Sequence, residues 1–365
     1  MSLSINGYSS LLLPGRVQGQ LFATLQAVTR SRMQTVRRQA PAAFALTFLL
    51  AACQSGPQAA LPSTQQVADA FVTKVVLPDY AQLAEQSQHL ALTLDALAAD
   101  PDAVRLEKAR RAWQQVRATW ERGESWAFGP AETGGFDGNL DAWPVNEKDL
   151  KAALASGALT PGLFAKLSST AKGFHGIEAV LYGTNAPRPQ ANKLRASELS
   201  YLQQAGSDLA ANAKGLLAAW RGSNGFGAEF KVNGDEAVSE ILQGMVGTLE
   251  EVAAEKLGAP LKSRAKADLE SFYSDNTSAD IAANLAGIQM SLKRSGLIAW
   301  IKGRDAKLAK SLETALDQVQ TSAQALPSGL NDKLDDAAGR ERIQAVISGS
   351  DRTVALLKQA AALLS

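Results

Sequence analysis

The chain has 365 residues, 46% hydrophobic and 20% charged, with a formal net charge of +1. That balance gives no support for nucleic-acid binding, and the length can bury two cores rather than one. Only 6% of residues are aromatic, and the abundance of Ala, Leu, Lys, Gln and Glu favours helices over strands.

Residues 1–52 read as a leader. Arg37 and Arg38 precede an apolar run, residues 40–52, that is too short to remain in a membrane as a spanning helix. The run ends in Leu50-Ala51-Ala52-Cys53, which is similar to the signal of bacterial lipoproteins. In those signals small residues admit the peptidase and the cysteine thiol receives lipid. Cys53 is the single cysteine of the chain, so by this similarity the mature protein starts there, acylated and stably anchored. Gln54 at the next position, rather than Asp, implies a lipid-anchored envelope protein on the outer membrane, facing the periplasm. Met33 opens a signal of normal length, 33–52, and is expected to be the start, with 1–32 a preceding extension. Residues 53–63 form a polar, Pro-containing tether.

A helical pattern begins near Thr64, is interrupted at Pro78, and resumes with Leu83, Leu90, Leu94 and Leu97 on one stripe. His89 on this helix reads as a surface or filler residue. Asp100-Pro101 predicts the next helix start, an N-cap followed by proline at the first helical position. Ala109, Trp113, Val116 and Trp120 then mark a buried face. Arg110, Arg111, Arg117 and Arg122 are expected to solvate the other side, with Arg117 able to point inward. Glu121 and Glu124 close this helix before Trp126, Gly129 and Pro130. The aromatic loop that follows holds Phe136, Asp137, Asp141 and Trp143, and is expected to be ordered rather than floppy. Further helices are predicted over 147–155 and 161–182, and beyond a linker at 187–191 over 192–221, 235–257, 261–272, 278–301, 307–325 and 333–364, the last broken near Gly349. No period-two alternation predicts a strand. The fold expected is all-α, two four-helix-bundle-like domains at 64–186 and 192–365. A faint echo of helix, aromatic-acidic turn and helix at 120–143 and 272–284 leaves a duplication open.

The most informative stretch is Gly173-Phe174-His175-Gly176-Ile177-Glu178-Ala179-Val180-Leu181-Tyr182-Gly183. His175 and Glu178 leave one face of a helix that Gly183 caps. An imidazole and a carboxylate side by side supply half of a zinc or iron site. The bland alternative is an ordinary hydrogen-bonded surface pair. Gly173 and Gly176 each cost ~1 kcal/mol in a helix relative to Ala, which suggests that another chain element or a ligand comes close. Glu124, Asp137 and Asp141 are expected to converge with His175 and Glu178, since short connections make their helices neighbours. Three such carboxylates would repel, so a cation, or Arg117 in its place, is expected among them. For Asp137 and Asp141 a capping role in the loop is the alternative.

Together, residues 120–130 with Glu124, residues 136–144, the Gly-x-His-x-x-Glu of 173–178, and 272–278 with Asn284 resemble the imelysin family, also called insulin-cleaving membrane proteases. The resemblance spans nearly all of the mature chain. It implies two helical bundles around a cleft bearing the His-x-x-Glu, in envelope proteins that are iron-regulated or encoded with iron-uptake genes. By the same resemblance Glu121, Asp137, Arg117, Trp126, Tyr182, Ser274, Asp275 and Asn276 are expected to line the cleft. His175, Glu178, Glu124 and Asp141 would hold a divalent or ferric ion, iron or zinc. Iron-transport components of the envelope are the implied partners. The family label implies a metallopeptidase, but no full catalytic motif is present: no separate acid is identifiable as general base. Metal or iron-compound binding is therefore the first reading. A zinc metallopeptidase and a helical scaffold for protein or glycan are the alternatives.

Overall fold

A computed structural model describes residues 61–183 and 189–364. The leader, Cys53, most of the tether and residues 187 and 188 of the expected linker lie outside the described residues. The described residues belong to one compact unit and are all-α, with no strand among them.

Ser63 caps α1 (Thr64–Phe71) through a capping box with Gln66. A π-helical turn, Val72–Val76, leads straight into α2 (Leu77–Ala99). Pro78 does not interrupt the helix: it sits in the first turn of α2, where a missing N–H costs little. Helix α3 (Ala103–Gly123) starts two residues later than the sequence suggests. Asp102 is its cap, accepting from the Arg105 amide at 2.7 Å, while Asp100 ends α2. Short helices follow, α4 (Pro130–Thr133), α5 (Phe136–Asp141), α6 (Glu147–Ala155) and α7 (Pro161–Phe164), and then α8 (Gly173–Tyr182).

The single helix expected over 161–182 is therefore two helices. The break falls at Gly173, whose φ of +62° an L side chain rarely adopts and whose Cβ would collide with the Leu140 carbonyl. A Cβ at Gly176 would meet the Tyr201 hydroxyl. The two glycines thus admit neighbouring chain, one of the two outcomes their helix cost suggests.

The remaining helices are α9 (Ala196–Trp220), α10 (Phe226–Phe230), α11 (Gly234–Glu251), α12 (Gly258–Ser263), α13 (Thr277–Arg294), α14 (Leu297–Arg304), α15 (Ala306–Gln324) and α16 (Ala337–Ala361). A second π-helical turn, Val252–Lys256, extends α11. The helix expected over 261–272 stops at Ser263, because Arg264 takes a left-handed conformation. Gly349 does not break α16; with no Cβ there, Val319 of α15 packs directly on its backbone.

Leu83, Leu90, Leu94 and Leu97 are buried, as are Trp113, Val116 and Trp120, and His89 is exposed. Helices from the two sides of 187–191 share this core, α2 lying along α9 and α3 against α13. At Gly287 a Cβ would strike the Arg122 carbonyl, so α13 reaches backbone contact with α3. That contact sets Asp280 and Asn284 of α13 opposite Arg117 and Glu121 of α3. Among the described residues no helix is long and apolar enough to cross a membrane.

Candidate functional site

Arg117 is the centre of the polar cluster. It lies one helical turn from Glu121 on a face of α3 that is otherwise Trp113, Val116 and Trp120, and it is fully buried. Its guanidinium pairs with Glu121 and Asp141, reaches Glu270 at 3.0 Å and has Asp280 at 3.8 Å. Below it the Phe174 ring centroid lies 5.4 Å away. The second buried cation is Lys256, whose Nζ lies 2.8 Å from Glu121, 2.8 Å from Glu124 and 3.1 Å from Glu270. Asn284 donates from Nδ2 to Glu121 Oε2 at 2.9 Å and Glu124 Oε2 at 2.8 Å.

His175 connects this cluster to Glu178. Its Nδ1 is 3.0 Å from Glu178 Oε2 and its Nε2 is 3.2 Å from Asp141 Oδ1. The other Glu178 oxygen accepts from the Ser274 amide at 2.9 Å and hydroxyl at 2.7 Å. Asp141 Oδ2 accepts from Trp120 Nε1 at 2.6 Å. Glu178 therefore orients the ring through Nδ1, as carboxylates do behind metal-bound histidines, while Nε2 faces Asp141. Asp141, His175 and Glu270 present one ligand atom each within 4.8 Å of one another, and so do Glu121, Glu124, Asp141 and Glu270. Both groups offer donors that iron, manganese or zinc accept. His175 Nε2 and Glu270 Oε2 are both buried, the first facing Asp141 at 3.2 Å and the second Lys256 at 3.1 Å.

The charges are unbalanced. Glu121, Glu124, Asp141, Glu270, Asp280 and Glu178 face two permanent cations, Arg117 and Lys256. Burial raises Asp280 to about 8, with Glu121 adding to the shift against Arg117. Burial and the neighbouring Glu121 likewise push Glu124 well above the usual carboxylate range. Burial and Arg117 push His175 down, but its bonds to Asp141 and Glu178 prevail and raise it to about 9. Burial would raise Asp141, yet Arg117 and His175 hold it well below the normal range.

These directions fix a pH dependence. His175 contributes stability that is fully present below its ordinary 6.5 and is lost as pH rises through about 9. Asp280 keeps in the folded state, up to about 8, a proton the unfolded chain releases near 3.8, so its effect has the same sign. Metal-free protein is thus expected to have a lower urea midpoint at pH 9 than at pH 6.5. An equal or higher midpoint at pH 9 would contradict the placement of these protons.

A cavity of about 690 Å³ opens over the cluster. Eight of its sixteen lining residues are acidic, among them Glu124, Asp137, Asp141, Glu251 and Glu270, and none is basic, so it attracts cations. Asp137 stands exposed at its wall, in neither group of converging ligand atoms, and Trp143 lines it too. Burial raises Glu251 to about 7, with Lys256 opposing and Glu270 adding.

Of the other expected cleft residues, Trp126, Tyr182 and Asp275 sit away from the cluster, whereas Ser274 and Asn276 touch its members. Trp126 is in the apolar core, edge-on to Phe71 at 6.3 Å. Tyr182 packs edge-on to Trp113 at 5.7 Å, beneath Arg110. Asp275 accepts from the Leu330 and Asn331 amides at 2.9 and 3.0 Å, tying down a distant loop. Ser274 acts on Glu178, and Asn276 donates to Asp280 at 2.8 Å. Lys256, Glu270 and Asp280 are members that the sequence reading did not identify. For Asp280 a signal existed: with Asn284 and Gly287 it makes a polar line at spacings of four and three through an apolar helix.

The Imelysin family model matches residues 76–360. Iron-regulated protein A of Synechococcus elongatus is 35% identical over 236 residues, 61% of this chain, and the match spans only 63% of that relative's length. Among solved structures, a proposed iron-regulated protein A precursor from Parabacteroides distasonis superposes with a TM-score of 0.75 at 21% identity, covering 84% of this chain and 97% of its own. An imelysin-like protein from Psychrobacter arcticum does so with a TM-score of 0.69 at 22% identity, covering 82% and 95%. These two likenesses extend to the fold.

Proposed function

We propose that this chain, which belongs to the imelysin family, binds a metal ion, iron foremost, at the floor of its acidic cavity as part of iron handling in the cell envelope. The observation that carries this reading is His175, held by Glu178 through one nitrogen and presenting the other to Asp141 beside Glu270. His175, Asp141 and Glu270 would hold the ion, with Glu124 and Glu121 next to them. Glu178, expected from spacing to be a ligand, is read here as the group that orients His175, since Ser274 and His175 occupy both its oxygens. The name of the Synechococcus relative supports iron, and one imidazole among carboxylates suits iron at least as well as zinc. A bound ion would supply positive charge where the carboxylates now rely on Arg117, Lys256 and protons.

Peptide hydrolysis is less well supported. It needs a carboxylate free to act as general base beside the ion, and those around His175 are tied to Arg117, Lys256, Trp120 or Ser274. Chain incubated anaerobically with ferrous iron and then desalted is expected to retain the ion and to leave an unfolded casein substrate intact. Cleavage that a chelator abolishes would favour the peptidase; neither iron retained nor casein cut would favour a scaffold.

The lipoprotein-like signal at Cys53 supports an outer-membrane anchor, with iron-transport components of the envelope as partners. Cys53→Ala is expected to move the protein from the membrane to the soluble envelope fraction. A variant that stays membrane-bound would refute the anchor.

A further inference from the structure

Glu270 and Ser274 reach the site from one short turn, residues 270–275, just ahead of α13. Glu270 brings a carboxylate oxygen to within 4.8 Å of ligand atoms on His175 and Asp141. The Ser274 amide and hydroxyl hold the Glu178 oxygen that is not turned to His175. Whatever fixes this turn therefore fixes a proposed ligand and the orientation of the imidazole together.

Asp275 closes the turn with a left-handed backbone, φ +61°, a conformation that a non-glycine residue keeps only where its surroundings hold it. The hold is visible. Asp275 Oδ1 accepts from the Leu330 amide at 2.9 Å and the Asn331 amide at 3.0 Å, both in the connection between α15 and α16. Asn331 Nδ2 donates back to the Phe272 carbonyl at 2.7 Å, so the two segments grip each other. Gly329 completes the seat, because a Cβ there would collide with the Asp275 carboxylate. The backbone of Gly329 is not left-handed, so the close approach is what calls for glycine. Leu330 is fully buried and anchors the connection in the core. Asp275 itself belongs to neither group of converging ligand atoms.

We infer that Asp275 is a positioning residue of the metal centre: seated on the α15–α16 connection, it sets the turn from which Glu270 meets the ion and Ser274 steadies Glu178 behind His175. The inference rests on the metal-binding reading of His175, Asp141 and Glu270. It gives a connection that contains no proposed ligand a part in the strength of binding.

The test is ferrous-iron affinity without oxygen, read beside the urea midpoint of the metal-free protein. Asp275→Gly keeps the left-handed backbone without strain and removes the carboxylate, whereas Gly329→Ala keeps the carboxylate and displaces it. Each is expected to bind iron about 10–100-fold more weakly, the loss usual for a group that supports a ligand from behind. Asp275→Asn keeps an acceptor oxygen and tolerates the same backbone, and is expected to bind like wild type. Leu94→Ala, a deletion in the core where α2 packs on Gly206 of α9, should lower the midpoint and leave iron affinity unchanged. Wild-type affinity in folded Asp275→Gly and Gly329→Ala would overturn the inference, and so would an Asp275→Asn as weak as Asp275→Gly. Affinity that falls with the midpoint in Leu94→Ala as it does in Asp275→Gly would also overturn it, since Asp275 would then act on stability alone. Wild type that binds no iron would overturn the metal centre itself, and this inference with it.

Discussion

Arg117→Met is expected to lower the stability of the metal-free protein by about 3–5 kcal/mol, the usual cost of breaking a buried ion pair from one side. The guanidinium is fully buried and serves Glu121, Asp141 and Glu270 together. Methionine fills much of its volume but leaves those carboxylates facing each other with Lys256 as their only permanent cation. Part of the penalty can be avoided by further protonation, so the loss should be greater at pH 8 than at pH 5. Arg117→Lys keeps the charge without the planar fork that reaches several oxygens at once, and should fall between the two. Urea denaturation in the presence of chelator measures all three. A loss below about 1 kcal/mol for Arg117→Met would mean that the cluster is not held by this residue.

The second large effect is expected at His175. In the metal-free protein its bonds to Asp141 and Glu178 keep it protonated up to about 9, and an ion can take Nε2 only when that proton leaves. Metal affinity of the wild type should therefore rise about tenfold per pH unit between pH 6 and 8, as one proton is exchanged for the ion. His175→Ala should weaken binding at least tenfold, about 1.4 kcal/mol, and should flatten that pH dependence. Glu178→Gln removes only the group that orients the ring, and a loss of about 10–100-fold is expected of such a partner. Unchanged affinity in both variants, with helicity intact, would leave His175 and Glu178 as a structural pair.

What could be read in the sequence follows from the range over which side chains interact. Helix stripes such as Leu83, Leu90, Leu94 and Leu97 depend on near neighbours, and all are buried. His175 and Glu178 are adjacent because three residues is nearly one helical turn. Their division of labour was not legible, because Ser274, 96 positions away, decides it by occupying Glu178. Lys256 lies in Glu250-Glu251-Val252-Ala253-Ala254-Glu255-Lys256, which reads as a solvated helix face at 3.6 residues per turn. The π-helical turn shifts that register, and periodicity does not encode it. Glu270 sits where a helix was expected and a turn exists, so its direction could not be inferred. Trp126 and Tyr182 are expected in the cleft, whereas both rings are buried in the core.

The most direct test of the metal centre is calorimetric titration of ferrous iron, without oxygen at pH 7.5, into wild type, His175→Ala and Glu270→Gln. Glu270 is the discriminating position: it joins the centre only through the three-dimensional arrangement and no part of the His-x-x-Glu motif contains it. The account predicts one saturable site on wild type and at least tenfold weaker binding in each variant, with circular dichroism unchanged. Equal affinity in all three folded proteins, or no binding to wild type, would contradict it.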